Sequence, residues 1–145
     1  DRQGLSKLWN EAWDTGLWAA SWSKSVEGLT AAQAAWKPAP QRHSIWQVVA
    51  HVVFWRAEAL RRLAGQPKSA EDVVARMNFP QPATVGESAW KEALQQLAAS
   101  QEAVARTLAD ERADIKTLPY VLAHDCYHMG QISLLRALQD LPPID

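Results

Sequence analysis

Hydrophobic residues recur every three or four positions along most of the chain, which is the spacing of amphipathic helices. Strand-like alternation is almost absent, while Gly and Pro cluster around residues 27–43 and 65–83. We therefore predict four long helices, over about residues 5–26, 45–64, 84–108 and 119–140. The fold predicted for residues 1–145 is a single all-α domain, a four-helix bundle with a long crossover connection between the second and third long helices.

Several local signals place the helix ends. Ser44 and Thr84 each precede Gln or Glu by three residues, the form of a capping box, and predict the starts of the second and third long helices. Pro119 suits the first turn of the fourth. Short helices are expected over residues 31–35 and 69–77 within the connections.

The first predicted helix carries two sets of apolar residues. One stripe, formed by Leu5, Leu8, Trp9, Ala12, Trp13, Leu17 and Ala20, is most simply core. Trp18 and Trp22 form a second pair, one turn apart and directed away from that stripe. They could cover a connection, line a ligand cleft or meet a second subunit.

Charge and composition lower the expectation for several classes of function. The net charge is −1, with 15 basic and 16 acidic residues, so no overall field favours nucleic acid or an anionic membrane. The apolar runs are too short for a membrane span, and we expect a cytoplasmic protein. Cys126 is the only cysteine, which excludes an internal disulfide and a multi-cysteine zinc site.

His124 and His128 are the first candidates for chemistry. On a helix, residues four apart point the same way, and this pair shares its side with Val121, Ile132, Leu135 and Leu138. Two imidazoles are therefore predicted on a buried stripe, where each unpaired ring nitrogen would cost about 1–3 kcal/mol. A metal ion would satisfy both rings at once.

A third imidazole, His51, lies at the edge of the apolar face of the second long helix, which Ile45, Val49, Val52, Val53, Leu60 and Leu63 form. Three neutral imidazoles would leave at least one open position on a divalent ion, as catalytic sites do. Imidazole suits zinc, nickel, copper and iron alike. The alternative is that each histidine is satisfied separately within the core.

Polar residues near these histidines have competing interpretations. Asp125 takes the place of Glu in a zincin His-Glu-x-x-His motif, but its side chain is one methylene shorter, which argues against protease chemistry. It is either a solvated or a supporting carboxylate. Glu58 could act as a proton shuttle, against the alternative of a one-turn ion pair with Arg62. Gln131, with Tyr127, could orient a bound water or substrate.

Three further residues are predicted to play lesser parts. Gln101 could donate a hydrogen bond into the site, although a half-exposed boundary position is the more common arrangement. Cys126 points away from His124 and is interpreted as a small packing residue. His43 precedes the second helix and is left out of the site.

The motifs Ser-Ile-Trp-Gln-Val-Val-Ala-His51 and Ala-His124-Asp-Cys-Tyr-His128-Met-Gly-Gln131-Ile resemble those of the DinB-like superfamily of metalloenzymes, in order and over most of the chain. The resemblance implies a four-helix bundle that forms homodimers. It also implies one divalent metal, most often nickel or zinc, bound by His51, His124 and His128.

The resemblance leaves the reaction open, because a fold and a metal do not name a substrate. One possibility is a thiol S-transferase that uses a low-molecular-weight thiol such as bacillithiol or mycothiol, with Arg56, Arg61, Arg62 and Arg136 as possible contacts for its carboxylates. Another is a hydrolase that activates water. In either, Glu58 and Gln131 are the candidate catalytic residues and the substrate is a small molecule. A third is a non-catalytic dimer in which the metal serves structure, storage or sensing.

Overall fold

The computed structural model describes residues 1–144 and contains helices and no strand over that range. The helices are α1 (Arg2–Asp14), α2 (Trp22–Val26), α3 (Ala31–Ala35), α4 (Ile45–Leu63), α5 (Glu71–Met77), α6 (Glu87–Ala109) and α7 (Leu118–Ala137). The prediction of an all-α fold is therefore confirmed. Helix α4 packs against α6 and α7, and α1 packs mainly against α6. The finer description, a four-helix bundle with a crossover, stays a prediction.

One apolar core joins the long helices. Its fully buried members include Trp9 from α1, Val49 and Val52 from α4, Leu97 from α6 and Ile132 from α7. Burying side chains of this size contributes about 1.5–3 kcal/mol each. The core thus holds α4 and α7 against each other, and these are the two helices that carry the three candidate histidines.

The first predicted helix is interrupted, and its prediction as one element over residues 5–26 was wrong. Helix α1 ends at Asp14, and Gly16 adopts a φ of +85° in the turn that follows. Ser21 then caps the separate helix α2, accepting a hydrogen bond from the Lys24 amide. As a result Trp18 is fully exposed while Trp22 is completely buried, so the predicted tryptophan pair does not form.

The predicted starts of α4 and α6 had different outcomes. Ser44 and Gln47 form the capping box at α4, with reciprocal bonds of 3.1 Å, as predicted. Helix α6 begins instead after Gly86, without a side-chain cap. The Glu87 carboxylate accepts a hydrogen bond from the Ala31 amide at 2.9 Å, so it caps α3 rather than its own helix.

Candidate metal centre

Three histidines from two helices converge at one point. His51 comes from α4, and His124 and His128 lie one turn apart on α7. The His124 Nε2 atom is 3.0 Å from His51 Nε2 and 3.1 Å from His128 Nε2. One nitrogen from each ring lies within 4.8 Å of the others, so the three residues could hold a metal ion. Within residues 1–144 no carboxylate joins this cluster.

Neighbouring groups determine which nitrogen of two rings carries the proton. His51 Nδ1 is 2.6 Å from the Asn78 carbonyl oxygen, which can only accept, so Nδ1 donates. His128 Nδ1 is 2.7 Å from Gln131 Oε1, and the Gln131 amide nitrogen donates to the Tyr127 hydroxyl at 3.1 Å, in agreement with that orientation. Both rings therefore direct an unprotonated Nε2 toward the centre.

This arrangement suits a cation better than hydrogen bonds. His124 Nε2 can give its single proton to His51 or to His128, but not to both. At least one of the two contacts then places two lone pairs about 3 Å apart. In a tetrahedral zinc site with Zn–N bonds of about 2.1 Å, neighbouring ligand nitrogens are about 3.4 Å apart. The two distances from His124 Nε2 are close to that value, and all three nitrogens lie within 4.8 Å of one another, so the donor set fits a divalent metal.

Burial favours the neutral imidazoles that a metal requires. The pKa of His51 is lowered to about 4, mainly by desolvation and to a smaller extent by the neighbouring rings of His128 and His124. Desolvation likewise lowers the pKa of His128. Both rings thus stay unprotonated at pH values where an exposed histidine would be charged.

The long segment between α4 and α6 supplies a wall of the site that the sequence did not predict. The Asn78 side-chain oxygen accepts from Trp55 Nε1 at 2.8 Å, while its backbone oxygen accepts from His51. The Phe79 ring stacks on His51 at 3.9 Å and on His43 at 3.8 Å. Residues 78 and 79 follow a short helix before a proline, and nothing in that pattern indicates a contact with the histidines. His43, which was left out of the site, therefore lies beside it.

Asp125 is buried and forms an ion pair with Arg56. The Arg56 Nε donates to Asp125 Oδ2 at 2.8 Å, and Arg56 Nη2 lies 2.8 Å from the same oxygen. The guanidinium lies over the Trp9 ring at 4.7 Å and the Trp22 ring at 5.4 Å. The other carboxylate oxygen, Oδ1, is 3.6 Å from His124 Nδ1. Asp125 is therefore buried and paired with Arg56 rather than solvated, and within residues 1–144 its Oδ1 has no hydrogen-bond partner. Its role as a supporting carboxylate of the metal centre stays a prediction.

Glu58 is buried among other partners. Its carboxylate accepts from the Ser69 amide at 2.9 Å and from Arg61 at 2.9 Å, and Arg62 lies 3.8 Å away. The Ser69 bonds, followed by Arg61, lower the pKa of this carboxyl group. The alternative of a one-turn ion pair with Arg62 is confirmed. These contacts tie Glu58 to the segment after α4 rather than to a histidine, and its catalytic role stays a prediction.

Several other predictions were wrong. Gln101 is buried and reaches neither the site nor the surface, because its amide donates to the Trp9 carbonyl while Trp9 Nε1 donates to the Gln101 carbonyl, each at 3.1 Å. Cys126 is exposed rather than packed. Leu138, expected on the buried stripe, is 52% exposed. Arg136, named above as a possible contact for cofactor carboxylates, is instead buried and donates to the Ser25 carbonyl.

Comparison with known proteins identifies a family. The sequence model described as the DinB superfamily matches residues 17–132, which include all three histidines. No curated protein and no solved structure matches the chain. Across residues 1–144, every helix is too short or too polar to cross a lipid bilayer.

Proposed function

The chain belongs to the DinB superfamily, and from this membership and the three-histidine centre we propose that it is a divalent-metal-dependent enzyme acting on a small molecule. The observation that carries the proposal is the convergence of three Nε2 atoms, two of them with their tautomer set by a neighbour. Zinc and nickel are the metals proposed for His51, His124 and His128. A bound metal would supply an open coordination position that lowers the pKa of a water or a thiol there.

We propose hydrolysis as the first reaction class. The protein's part is to hold three imidazoles in place, with Gln131 orienting His128 and the Asn78 carbonyl orienting His51. Two of the arginines that could contact the carboxylates of a thiol cofactor are held by other partners. Arg56 is bound by Asp125, and Arg61 by Glu58. This distribution argues against a thiol cofactor with several carboxylates.

Thiol S-transfer is the second candidate, and a different observation favours it. Asp125 is committed to Arg56, and Glu58 to Ser69 and Arg61, so neither carboxylate is free to act as a general base. A thiol needs only a lowered pKa to become a nucleophile, whereas water usually needs a base as well. A thiol with few charges would suit this site. Gln131 is the remaining candidate for contacting the reacting group.

We also propose that the protein forms homodimers in the cytoplasm. Trp18 is fully exposed and Leu8, which lines the same surface depression, is 43% exposed. Exposed apolar side chains of this kind are typical of protein interfaces. Light scattering of the wild type and of Trp18→Ser tests this proposal, since the variant should become monomeric.

Metal content tests the centre directly. Purified protein loaded with Zn²⁺ or Ni²⁺ should bind one ion per chain. Elemental mass spectrometry measures this metal content. His51→Ala, His124→Ala and His128→Ala should each lose most of it. His43→Ala is the matched control, because that imidazole stacks on Phe79 and has no ring nitrogen in the cluster. Full occupancy in all three ligand variants would disprove the centre.

Turnover separates the two reaction classes. The metal-loaded protein is assayed against a panel of esters and amides, and separately against an electrophile with simple thiols such as cysteine or 2-mercaptoethanol. Hydrolysis by the wild type that is lost in His124→Ala supports the first candidate. Thiol addition by the wild type that is lost in the same variant supports the second. Activity that persists in metal-free protein would contradict both.

A further inference from the structure

A groove of about 450 Å³ lies beside the metal centre, between α7 and the segment that precedes α4. Its volume falls within the range of about 300–1,000 Å³ that is typical of small-molecule sites. Two of its lining residues also belong to the surroundings of the centre. Gln131 accepts the hydrogen bond of His128, and His43 stacks on the Phe79 ring that also covers His51. A ligand in this groove would therefore end next to the three histidines.

One wall of the groove is apolar and open to solvent. Leu134, in the last turn of α7, and Leu138, which follows the end of that helix, line it and are 60% and 52% exposed. Val48 from the first turn of α4 also lines the groove. Large aliphatic side chains that remain exposed inside a concave surface are typical of a ligand site. An apolar ligand would remove these leucines from water.

The charge of the groove has one sign. Among residues 1–144, Arg42 is the only residue with a formal charge that lines the groove, and no carboxylate of that range lines it. The neighbouring His43 has a lowered pKa, caused first by desolvation and then by the positive charge of Lys37. The groove also adjoins the N-terminal end of α4, where the helix dipole is positive. The part of the groove near Arg42 and the N-terminal end of α4 is therefore electrostatically suited to an anionic group of a ligand.

From these features we propose that the groove binds an amphipathic monocarboxylate, with the aliphatic or aromatic body on Leu134 and Leu138 and the carboxylate at Arg42. This inference rests on the proposed function, since it names the substrate class of the same centre. It also distinguishes the ligand from a thiol with several carboxylates, because one guanidinium lines the groove rather than a cluster.

Calorimetric titration of the full chain with octanoate and with octan-1-ol tests the proposal, in zinc-loaded and in chelator-stripped protein. Octanoate should bind both forms. Arg42→Gln should weaken octanoate about tenfold and leave octan-1-ol unchanged. Leu134→Ser should weaken both ligands. Arg112→Gln, an exposed arginine after α6, is the matched control and should change neither.

Three results would overturn the groove assignment. If octanoate binds only the zinc-loaded protein, and Arg42→Gln does not change its affinity, octanoate is a ligand of the metal itself. Unchanged octanoate affinity in Leu134→Ser, with a shift from dimer to monomer in light scattering, would assign the leucines to a second copy of the chain. No binding to either form would remove the site. The zinc content of the protein tests the metal centre, whereas octanoate binding to the chelator-stripped protein tests the groove alone. The two proposals can therefore fail independently.

Discussion

Gln131 and Asn78 act on the centre through the far nitrogens of two imidazoles. Each accepts a hydrogen bond from the protonated Nδ1 and so leaves the opposite nitrogen free to coordinate a metal. Such supporting bonds hold the orientation of the ring and raise its basicity as a ligand. The sequence placed Gln131 near the histidines but suggested contact with water or substrate, whereas the structure shows contact with His128.

Replacing Gln131 by Leu should weaken zinc binding about 10- to 100-fold, because His128 loses the acceptor that orients it. Gln131→Glu keeps an acceptor oxygen and should retain most of the affinity. Competition titration with a chromogenic chelator measures both. Gln95→Leu, an exposed position on α6, serves as the control. Equal affinity in the Leu and Glu variants would refute the role of the acceptor.

The buried imidazoles should make the metal-free protein sensitive to acid. Burial lowers the pKa of His51 from 6.5 to about 4, so between these values the unfolded chain binds a proton that the folded chain does not. The free energy of unfolding should therefore fall by on the order of 2 kcal/mol as the pH decreases from about 6.5 to about 4. His51→Gln should reduce this slope, with His128 accounting for the part that remains. Urea titrations at several pH values measure it, and parallel profiles for variant and wild type would contradict the assignment.

Among the elements, the turn between α1 and α2 depends on backbone conformations that side chains rarely adopt. Gly16 has a φ of +85°, and a Cβ atom there would lie 2.0 Å from the Ala19 carbonyl oxygen. Apolar residues keep the spacing of a helix on both sides of this turn and across it, which is why the sequence predicted one continuous helix. The glycine was the signal for a break, and the surrounding periodicity concealed it.

Gly16→Ala should destabilise the protein by roughly 2 kcal/mol or more, because the new methyl group meets backbone as well as an unfavourable φ. Gly28→Ala is the matched control, since Gly28 has a φ of +71° with open space around it. It should cost about 1 kcal/mol. Thermal and urea unfolding measure the difference, and equal losses would show that the clash is relieved.

The Arg56–Asp125 pair joins α4 to α7 within the core. Asp125→Ala should cost about 3–5 kcal/mol, because it leaves a buried guanidinium without its partner. Replacing both residues, as Arg56→Met with Asp125→Leu, should recover most of that loss. Urea unfolding provides the measurement. Glu11→Ala, which breaks the exposed Lys7–Glu11 pair, should change stability little. A double variant as unstable as the single one would argue against the pair as the cause.

For the molecule as a whole, the sequence predicted what depends on local pattern. The bounds of α4 and α7 follow from caps and proline, and the His124–His128 pair follows from helical spacing. The contacts of Asn78, Phe79 and Arg56 depend on how distant segments meet, and no spacing within the sequence encodes that. Arg56 illustrates the difficulty, because an arginine is expected at the surface until its carboxylate and two tryptophans are seen around it.

Removal of the metal should leave the fold intact. The core between α4, α6 and α7 is built from apolar side chains that do not involve the histidines. After treatment with a chelator, the helical circular dichroism signal should persist and unfolding should remain cooperative. The midpoint temperature should fall only by the amount that mass action predicts from the metal affinity. Loss of the helical signal would instead support the structural role.

The acceptor that orients His51 is a main-chain oxygen, and every amino acid has one. Point substitutions at position 78 should therefore spare the tautomer of His51, whereas a one-residue insertion or deletion just before it would shift the carbonyl out of register. Variation in the length of this loop, more than in its composition, is how related chains could gain or lose a working centre.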